Sequence, residues 1–207
     1  MTDPLRVLIT AGASGIGRAI ADCFLDQEAL VYICDIDERA LKVAVGDTGL
    51  CGSVCDVGKA DDIARLFEDA AKTLGGFDVL VNNAGISGGN APIEDIDVDE
   101  WRRTMDVNVS GMFYCIQRVT PYLKAQRSGT IINISSVSVR TGMTNRLPYI
   151  TSKQGVMGLT HNVARELGPW NIRCNAILPG LIDNERGRSI LARKAEMDGK
   201  SLDETEE

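Results

Sequence analysis

Short apolar segments alternate with longer amphipathic segments along this chain, and the alternation constrains the fold more than any other feature. Six apolar runs predict buried strands at residues 5–10, 30–34, 50–54, 79–82, 130–135 and 173–178. The segments between them have helical periodicity, at residues 16–26, 61–74, 98–124 and 149–167, with 38–45 as a weaker helix. Such alternation builds right-handed β-α-β units. The sequence therefore predicts an α/β fold in which helices flank a doubly wound parallel sheet.

The length of the chain favours a single domain. Its 207 residues can enclose one sizeable core, and they contain no internal repeat, linker or low-complexity tract. We therefore expect one domain over residues 1–207. The last stretch, residues 183–207, is charged and lacks the pattern of a strand, so we expect a mobile flap over the substrate or a solvated tail.

The composition argues against several classes of function. A net charge of −7 leaves no basic surplus for a nucleic-acid backbone. A membrane span needs a run of about 18 apolar residues, which the sequence lacks, and the first strand begins too early for a signal peptide. The six cysteines form no Cys-x-x-Cys pair and the chain has one histidine. We therefore expect reduced thiols, no metal site and a cytoplasmic location.

A glycine-rich turn, Thr-Ala-Gly-Ala-Ser-Gly-Ile-Gly at residues 10–17, joins the first strand to the first helix. Its glycines would let a pyrophosphate approach the backbone, and the helix N-terminus would add amide donors and positive potential. Asp35, at the end of the second strand, could accept hydrogen bonds from both ribose hydroxyls of an adenosine and would repel a 2′-phosphate. This order predicts a bound dinucleotide, NAD rather than NADP, although a turn that serves packing alone would have the same composition.

Tyr149 and Lys153 stand four residues apart in a predicted helix, so they share one face. A tyrosine needs a nearby cation to act as a base near neutral pH, and the lysine can supply that charge. The pair alone is weak evidence, because polar helix faces are common. Combined with a nucleotide-type turn, it points to redox chemistry on an alcohol carbon.

These motifs together resemble the short-chain dehydrogenase/reductase family over nearly the whole chain. The resemblance rests on the glycine turn, Asn-Asn-Ala-Gly at 82–85, Asn-Ile-Ser-Ser at 133–136, Tyr-x-x-x-Lys at 149–153 and Pro-Gly-Leu-Ile at 179–182. It implies a Rossmann-like fold and an NAD(H)-dependent oxidoreductase that interconverts a secondary alcohol and its ketone. It also implies a homodimer or homotetramer built on the two long predicted helices. The substrate class stays open among sugars, polyols, steroids, acyl thioesters and cyclic alcohols.

The resemblance also implies roles for four catalytic residues. Tyr149 would be the general acid in reduction and the general base in oxidation. Lys153 would favour the phenolate and bind the nicotinamide ribose. Ser136 would hold the substrate oxygen, and Asn108 would interrupt its helix and hold a water that links Lys153 to solvent.

A second implied set binds the cofactor. Asp56 and Val57 would hold the adenine edge, and the backbone of Ile182 would meet the nicotinamide carboxamide. The whole set is Gly12, Ser14, Gly15, Ile16, Gly17, Asp35, Asp56, Val57, Asn83, Ala84, Gly85, Tyr149, Lys153, Pro179, Gly180 and Ile182.

Two features depart from the family pattern. Ala11 stands where the family has the first glycine of its turn, and a positive φ there would cost roughly 1 kcal/mol or more. The family also continues with another helix and a seventh strand beyond the point that corresponds to Glu207, so we expect a fragment or an unusual member. These departures support the alternative of a non-catalytic nucleotide-binding protein or truncated relative. The two long predicted helices, at residues 98–124 and 149–167, support a third class, a protein of assembly or interaction.

Overall fold

The computed structural model of the protein describes residues 3–46 and 49–182, together with Arg188, Ala192, Ala195 and Ser201. Within these residues, six parallel strands form one sheet. They are β1 (Arg6–Thr10), β2 (Leu30–Asp35), β3 (Cys51–Val54), β4 (Val79–Asn82), β5 (Gly129–Ile134) and β6 (Ile172–Ile177). Their order across the sheet is β3-β2-β1-β4-β5-β6, so the chain winds outward from β1 in one direction and from β4 in the other. This topology confirms the predicted doubly wound, Rossmann-like α/β fold.

Helices cover both faces of the sheet. They are α1 (Gly15–Leu25), α2 (Glu38–Gly46), α3 (Ala60–Leu74), α4 (Val98–Met105), α5 (Gly111–Gln126), α6 (Ser138–Thr141) and α7 (Leu147–Leu167), with short 3-10 turns at Ile93–Asp95 and Gly168–Trp170. Alternate residues of each central strand point to opposite faces, so Val7 and Ile9 pack with α1 and α2 while Leu8 packs with α3 and α5. The two cores explain why these strands read as continuous apolar runs.

The segment predicted as one helix over 98–124 is divided. A π-helical turn, Asp106–Ser110, separates α4 from α5. Its one extra residue per turn rotates the following helix, and such turns occur frequently at functional sites. A periodicity pattern averaged over many residues does not register this local change.

The strand predicted at 50–54 is less buried than the sequence suggested. It lies at the edge of the sheet, where Val54 is 52% exposed and Cys51 is also exposed. β6 also alternates between buried and exposed residues. The apolar composition of these strands therefore overstated their burial, because each has a neighbouring strand on one side only among the described residues.

Two buried amides are paired across the middle of the sheet. Asn82 and Asn133 are partners in the register of β4 with β5, and Asn82 Nδ2 donates to Asn133 Oδ1 at 2.9 Å. Asn133 Nδ2 in turn donates to Thr160 Oγ1 on α7 at 3.0 Å. Both amides are at most 1% exposed. These bonds join β4, β5 and α7 within the core.

The described residues bear on the expectations about a membrane span and a metal site, and they cover little of the predicted flap or tail. Among the helices that the structure describes, none is long and apolar enough to cross a membrane. Over the same residues, no three His, Cys, Asp or Glu side chains cluster in a way that could hold a metal ion. The predicted flap or tail, residues 183–207, lies outside the described residues apart from the four isolated positions given above.

Candidate active site

The candidate site residues collect at the carboxyl ends of the strands. The glycine turn follows β1, Asn83, Ala84 and Gly85 follow β4, Ser136 follows β5, and the loop of residues 179–182 follows β6. β1 and β4 are neighbours, and the winding direction reverses between them. In open α/β sheets, ligands bind in the crevice at such a reversal. The topology thus places two separate stretches of sequence around one crevice.

The glycine turn is shaped by close backbone contacts. A Cβ on Gly12 would lie 2.6 Å from Ile33 Cγ2, and one on Gly17 would overlap the carbonyl oxygen of Ala11, so neither position admits a side chain. Gly15 has a φ of 55°, which glycine adopts readily, and its missing side chain leaves open space. Ser14 is the N-cap residue of α1 but makes no side-chain cap bond. The first amides of α1 therefore follow a tightly packed turn, and the N-terminus of a helix suits an anion.

Thr10 and Asn83 hold this turn against the end of β4. Thr10 Oγ1 accepts the backbone N–H groups of Asn83 and Ala84, each at 3.0 Å. Asn83 Nδ2 donates to the carbonyl oxygens of Thr10 at 3.1 Å and Ala11 at 2.9 Å. This role of Thr10 was not predicted from the sequence. Its only signal there was its place at the start of the turn.

Ala11 occupies a backbone conformation that glycine would adopt more easily. Its φ is 50°, in the left-handed region, where a Cβ crowds the following carbonyl. The expected strain at this position is therefore present. The bonds from Asn83 to the neighbouring carbonyls hold the turn in this shape.

We expect Ala11→Gly to raise the free energy of unfolding by about 1 kcal/mol, because it relieves the left-handed strain. Urea titration of both proteins would measure the change. Ala13→Gly is the matched control, since Ala13 lies in the same turn without a positive φ and its replacement should destabilise the protein. An equal loss of stability in both variants would contradict this account of Ala11.

The carboxylate of Asp35 is fixed beside the glycine turn. Asp35 ends β2, its Oδ2 accepts the N–H of Ala13 at 3.2 Å, and its Oδ1 accepts the N–H of Asp37 at 3.1 Å. It is half-buried. A carboxylate held in this place can accept hydrogen bonds from a pair of ribose hydroxyls, and its charge opposes a phosphate at the same point.

Asp56 is also held firmly, in the turn after β3. Its Oδ1 accepts the N–H of Gly58 at 3.0 Å and an Nη2–H of Arg103 at 2.9 Å. Burial opposes ionisation, but these two bonds and the charges of Arg103 and Lys59 keep the pKa of Asp56 below its ordinary value. The neighbouring Val57 is buried in the core. Arg103 was not identified from the sequence.

α7 brings Tyr149 and Lys153 together as the spacing predicted. Lys153 is only 4% exposed, and its Nζ lies 5.9 Å from the centroid of the Tyr149 ring. Nζ donates to the carbonyl oxygen of Ile134 at the end of β5, at 2.8 Å. A buried ammonium needs such oxygen partners, and this one anchors the cation between α7 and the sheet.

A second cation lies on the same tyrosine ring. Arg146 is 8% exposed, and its Cζ lies 5.0 Å from the centroid of Tyr149. One of its N–H groups donates to Asn90 Oδ1, at 3.1 Å, in the loop after β4. Arg146 was not among the catalytic or cofactor-binding residues predicted from the sequence.

Asn108 lies at the centre of the π-helical turn and is fully buried. Its Oδ1 accepts the N–H of Ile86 at 2.8 Å, and its Nδ2 donates to the carbonyl oxygen of Ile86 and to Ser152 Oγ, both at 2.9 Å. A Cβ on Gly85 would lie 3.2 Å from both Asn108 Oδ1 and Lys153 Nζ. Asn108 therefore ties the loop after β4 to the turn of α7 that precedes Lys153.

The loop that carries Ser136 contacts the loop of residues 179–182, and these are the last two segments predicted for the site. Ser136 is in the loop between β5 and α6, where its Oγ accepts the hydroxyl of Ser138 at 2.8 Å. The loop after β6 packs on this loop, because Pro179 O accepts the N–H of Val137 at 3.1 Å. Gly180 follows, and Ile182 lines a cavity of about 540 Å³ together with Gly15 and Ile16. The loop after β6 thus reaches the glycine turn.

The residues present fit a pyridine nucleotide. The turn from Gly12 to Gly17 leads into the N-terminus of α1, which suits a pyrophosphate, and Asp35 offers a fixed acceptor for a ribose. Tyr149 and Lys153 stand at the same end of the sheet. The described residues could therefore hold both ends of such a cofactor.

The chain is similar to known proteins over most of its length. The sequence model described as short chain dehydrogenase matches residues 6–195. Dehydrogenase/reductase SDR family member 6 of Xenopus laevis is 41% identical over 86% of this chain and 71% of its own length. The 3-oxoacyl-acyl-carrier-protein reductase of Thermotoga maritima is 39% identical over 85% of this chain and 73% of its own.

Solved structures show the same likeness. NAD+-bound xylitol dehydrogenase has a TM-score of 0.87 and 29% identity, over 92% of this chain and 75% of its own. A variant of actinorhodin polyketide ketoreductase with NADPH has a TM-score of 0.92 and 29% identity, over 98% of this chain and 80% of its own. These proteins include NAD and NADP complexes. The chain therefore belongs to the short-chain dehydrogenase family, whose members are oxidoreductases of CH–OH or carbonyl groups that use a pyridine nucleotide.

Proposed function

We propose that this protein interconverts a secondary alcohol and its ketone with NAD(H), and that Tyr149 is its acid–base group. The observation that supports this most directly is the buried cation beside the phenol ring, with Lys153 Nζ 5.9 Å from the ring centroid. The bond from Nζ to the carbonyl oxygen of Ile134 holds this positive charge in place. A protein that only bound nucleotides would have no chemical need for this pair.

In the oxidation direction, Tyr149 Oη takes the proton of the substrate hydroxyl while the carbon–oxygen double bond forms. In reduction, the same group returns the proton to the carbonyl oxygen. The ammonium of Lys153 and the guanidinium of Arg146 both place positive charge beside the ring of Tyr149. The nicotinamide, when bound, accepts or supplies the hydride.

Ser136 and Asn108 support this step in different ways. The Ser136 hydroxyl donates to the substrate oxygen, which carries growing charge as the bonds change. Asn108 fixes the loop after β4 and the start of α7, so it keeps Lys153 in place. We further propose that Asn108 holds a water that connects Lys153 with solvent.

We propose that the cofactor binds in the crevice between β1 and β4. The turn of residues 12–17 binds the pyrophosphate, Asp35 the adenosine ribose, and Asp56 and Val57 the adenine edge. Asn83, Ala84 and Gly85 border the cofactor, Tyr149 and Lys153 bind at its nicotinamide ribose, and Pro179, Gly180 and Ile182 lie at its nicotinamide end. The charge of Asp35 beside the turn supports NAD over NADP.

The test of this function is turnover. Purified protein would be assayed with NAD and a panel of sugars, polyols, hydroxysteroids, hydroxyacyl thioesters and cyclic alcohols, by the appearance of NADH. We expect NADH to form with at least one secondary alcohol, and the corresponding ketone to be reduced. Tight NADH binding without turnover of any alcohol or ketone would instead favour the non-catalytic alternative.

We also propose a homodimer or homotetramer that uses the helical face of α4, α5 and α7. The outer surface of α5 carries Phe113, which is 45% exposed and packs its ring 5.7 Å from that of Tyr114. Tyr114 is half-buried against the core, and an exposed phenylalanine such as Phe113 is a residue type enriched at interfaces. Size-exclusion chromatography with light scattering should give two or four times the chain mass, and a monomer would contradict the proposal.

A further inference from the structure

The hydroxyl oxygen of Ser136 accepts two hydrogen bonds from one neighbouring residue. Ser138 donates to Ser136 Oγ through its own hydroxyl at 2.8 Å and through its backbone N–H at 3.3 Å. A serine hydroxyl offers two lone pairs and one hydrogen. With both lone pairs engaged in this way, the hydrogen of Ser136 is the part of the group that remains for a substrate.

The two hydroxyls could share their bond in either direction, because a hydroxyl hydrogen rotates to suit its partner. The substrate decides between these directions. A ketone oxygen carries no hydrogen, so the hydroxyl that meets it during reduction has to be a donor. If Ser136 gave its hydrogen to Ser138, it would have none left for the ketone. The direction from Ser138 to Ser136 is therefore the one that suits the proposed reaction.

The two serines differ in their access to a substrate. Ser138 is buried, with 6% of its surface exposed, whereas Ser136 is half-buried. A residue as buried as Ser138 has little surface that a substrate could touch. Any effect of its hydroxyl on the reaction is therefore expected to pass through Ser136.

The element that carries Ser138 is tied to the helix that carries the proposed acid–base pair. α6 begins at Ser138, and the N–H of Gly142 donates back to the carbonyl oxygen of Ser138 at 3.0 Å. Gln154, which follows Lys153 on α7, donates from Nε2 to the carbonyl oxygen of Val139 at 2.6 Å. These bonds give the Ser138 hydroxyl a fixed place relative to α7.

We propose that Ser138 is a positioning residue, whose hydroxyl donates to Ser136 so that Ser136 directs its own hydrogen at the substrate oxygen. This inference rests on the proposed function. Each hydrogen bond in such a chain polarises the next, so the bond from Ser138 also makes the Ser136 hydroxyl a stronger donor. The benefit is greatest where negative charge grows on the substrate oxygen, in the transition state, so it belongs to kcat.

Steady-state kinetics of the full chain would test this role, with an alcohol that wild type oxidises and with the corresponding ketone. Loss of one donor to a reacting oxygen costs about 10²–10³-fold in kcat. Loss of the bond that orients and strengthens this donor should cost a fraction of that, so we expect Ser138→Ala to lower kcat about fivefold in both directions. The KM for the substrate and the affinity for NADH should change little.

Two variants of nearly equal shape separate the hydroxyl from its packing. Ser138→Thr keeps the hydroxyl, and Ser138→Val has a methyl group in its place on the same branched side chain. The threonine variant should retain most of kcat, and the valine variant should lose at least as much as alanine. Thr141→Val is the control, since it removes an exposed hydroxyl from the other end of α6 and should leave kcat unchanged.

A double-mutant cycle shows whether Ser138 acts through Ser136. Once Ser136→Ala is present, Ser138→Ala should lower kcat no further, because the group that it positions is gone. Equal losses in both backgrounds would show a structural role alone. Wild-type kcat in Ser138→Ala, or equal kcat in the threonine and valine variants, would overturn the inference while the proposed function stands. Failure of wild type to turn over any alcohol or ketone would instead contradict the proposed function, and this role with it.

Discussion

Tyr149→Phe is expected to lower kcat by about 10³-fold while cofactor affinity changes little, because a positioned acid–base group typically contributes 10²–10⁴-fold. The substitution removes a single oxygen and keeps the ring beside Lys153 and Arg146. The packing of α7 should therefore stay intact. The loss should appear equally in oxidation and in reduction, since one group serves both directions.

Steady-state kinetics in both directions, together with calorimetric titration of NADH, would measure this effect. Tyr122→Phe is the matched control, because Tyr122 on α5 packs edge-on against Phe77, which precedes β4 at the opposite end of the sheet from the crevice. It should leave kcat within about twofold, as surface substitutions usually do. Activity of Tyr149→Phe near the wild-type level would overturn the assignment of the acid–base group.

Asp35→Ala is expected to shift the preference for NAD over NADP by roughly 10²-fold. Loss of the carboxylate removes the acceptor for the ribose hydroxyls, and it removes a like-charge repulsion that costs several kcal/mol, where each 1.4 kcal/mol is tenfold. NAD should bind more weakly and NADP more tightly. The ratio of kcat/KM for the two cofactors would measure the shift, or the ratio of their affinities by calorimetry.

Two further variants identify the cause. Asp35→Asn keeps an acceptor for the N–H of Ala13 but removes the charge, so it should relax the rejection of NADP while NAD retains part of its affinity. Asp37→Asn removes a nearby charge and preserves an oxygen that accepts the first amides of α2, so it should leave the ratio unchanged. A wild-type preference for NADP would refute the role of Asp35.

The sequence was most informative where local chemistry sets the structure. The boundaries of β4 were predicted without error, and those of β1, α1 and α7 to within one or two residues. Glycines, an acidic residue at a strand end and an i, i+4 pair are local signals. They indicated where Gly17, Asp35 and Lys153 would lie, because strand ends in a parallel sheet meet at one edge.

The remaining features depend on contacts between distant segments. Arg103 looks like one of several charges on a solvated helix face until α4 packs beside Asp56, 47 positions earlier. The π-helical turn at Asn108 arises where its side chain bonds the backbone of Ile86 in another loop. Apolar composition likewise could not show that β3 would lie at an edge. No window of neighbouring residues contains this information.

The hydrogen bond between the amides of Asn82 and Asn133 favours one alignment of β4 with β5 over any shifted alignment. Successive side chains alternate between faces, so a shift of β5 by one position against β4 would turn the two amides to opposite sides of the sheet. Each would then lie among aliphatic side chains with its partner lost, at about 1–3 kcal/mol per group. Asn82 Oδ1 already lacks a partner within the described residues. During folding, this amide pair therefore selects the single strand alignment in which the loops after β4 and β5 meet.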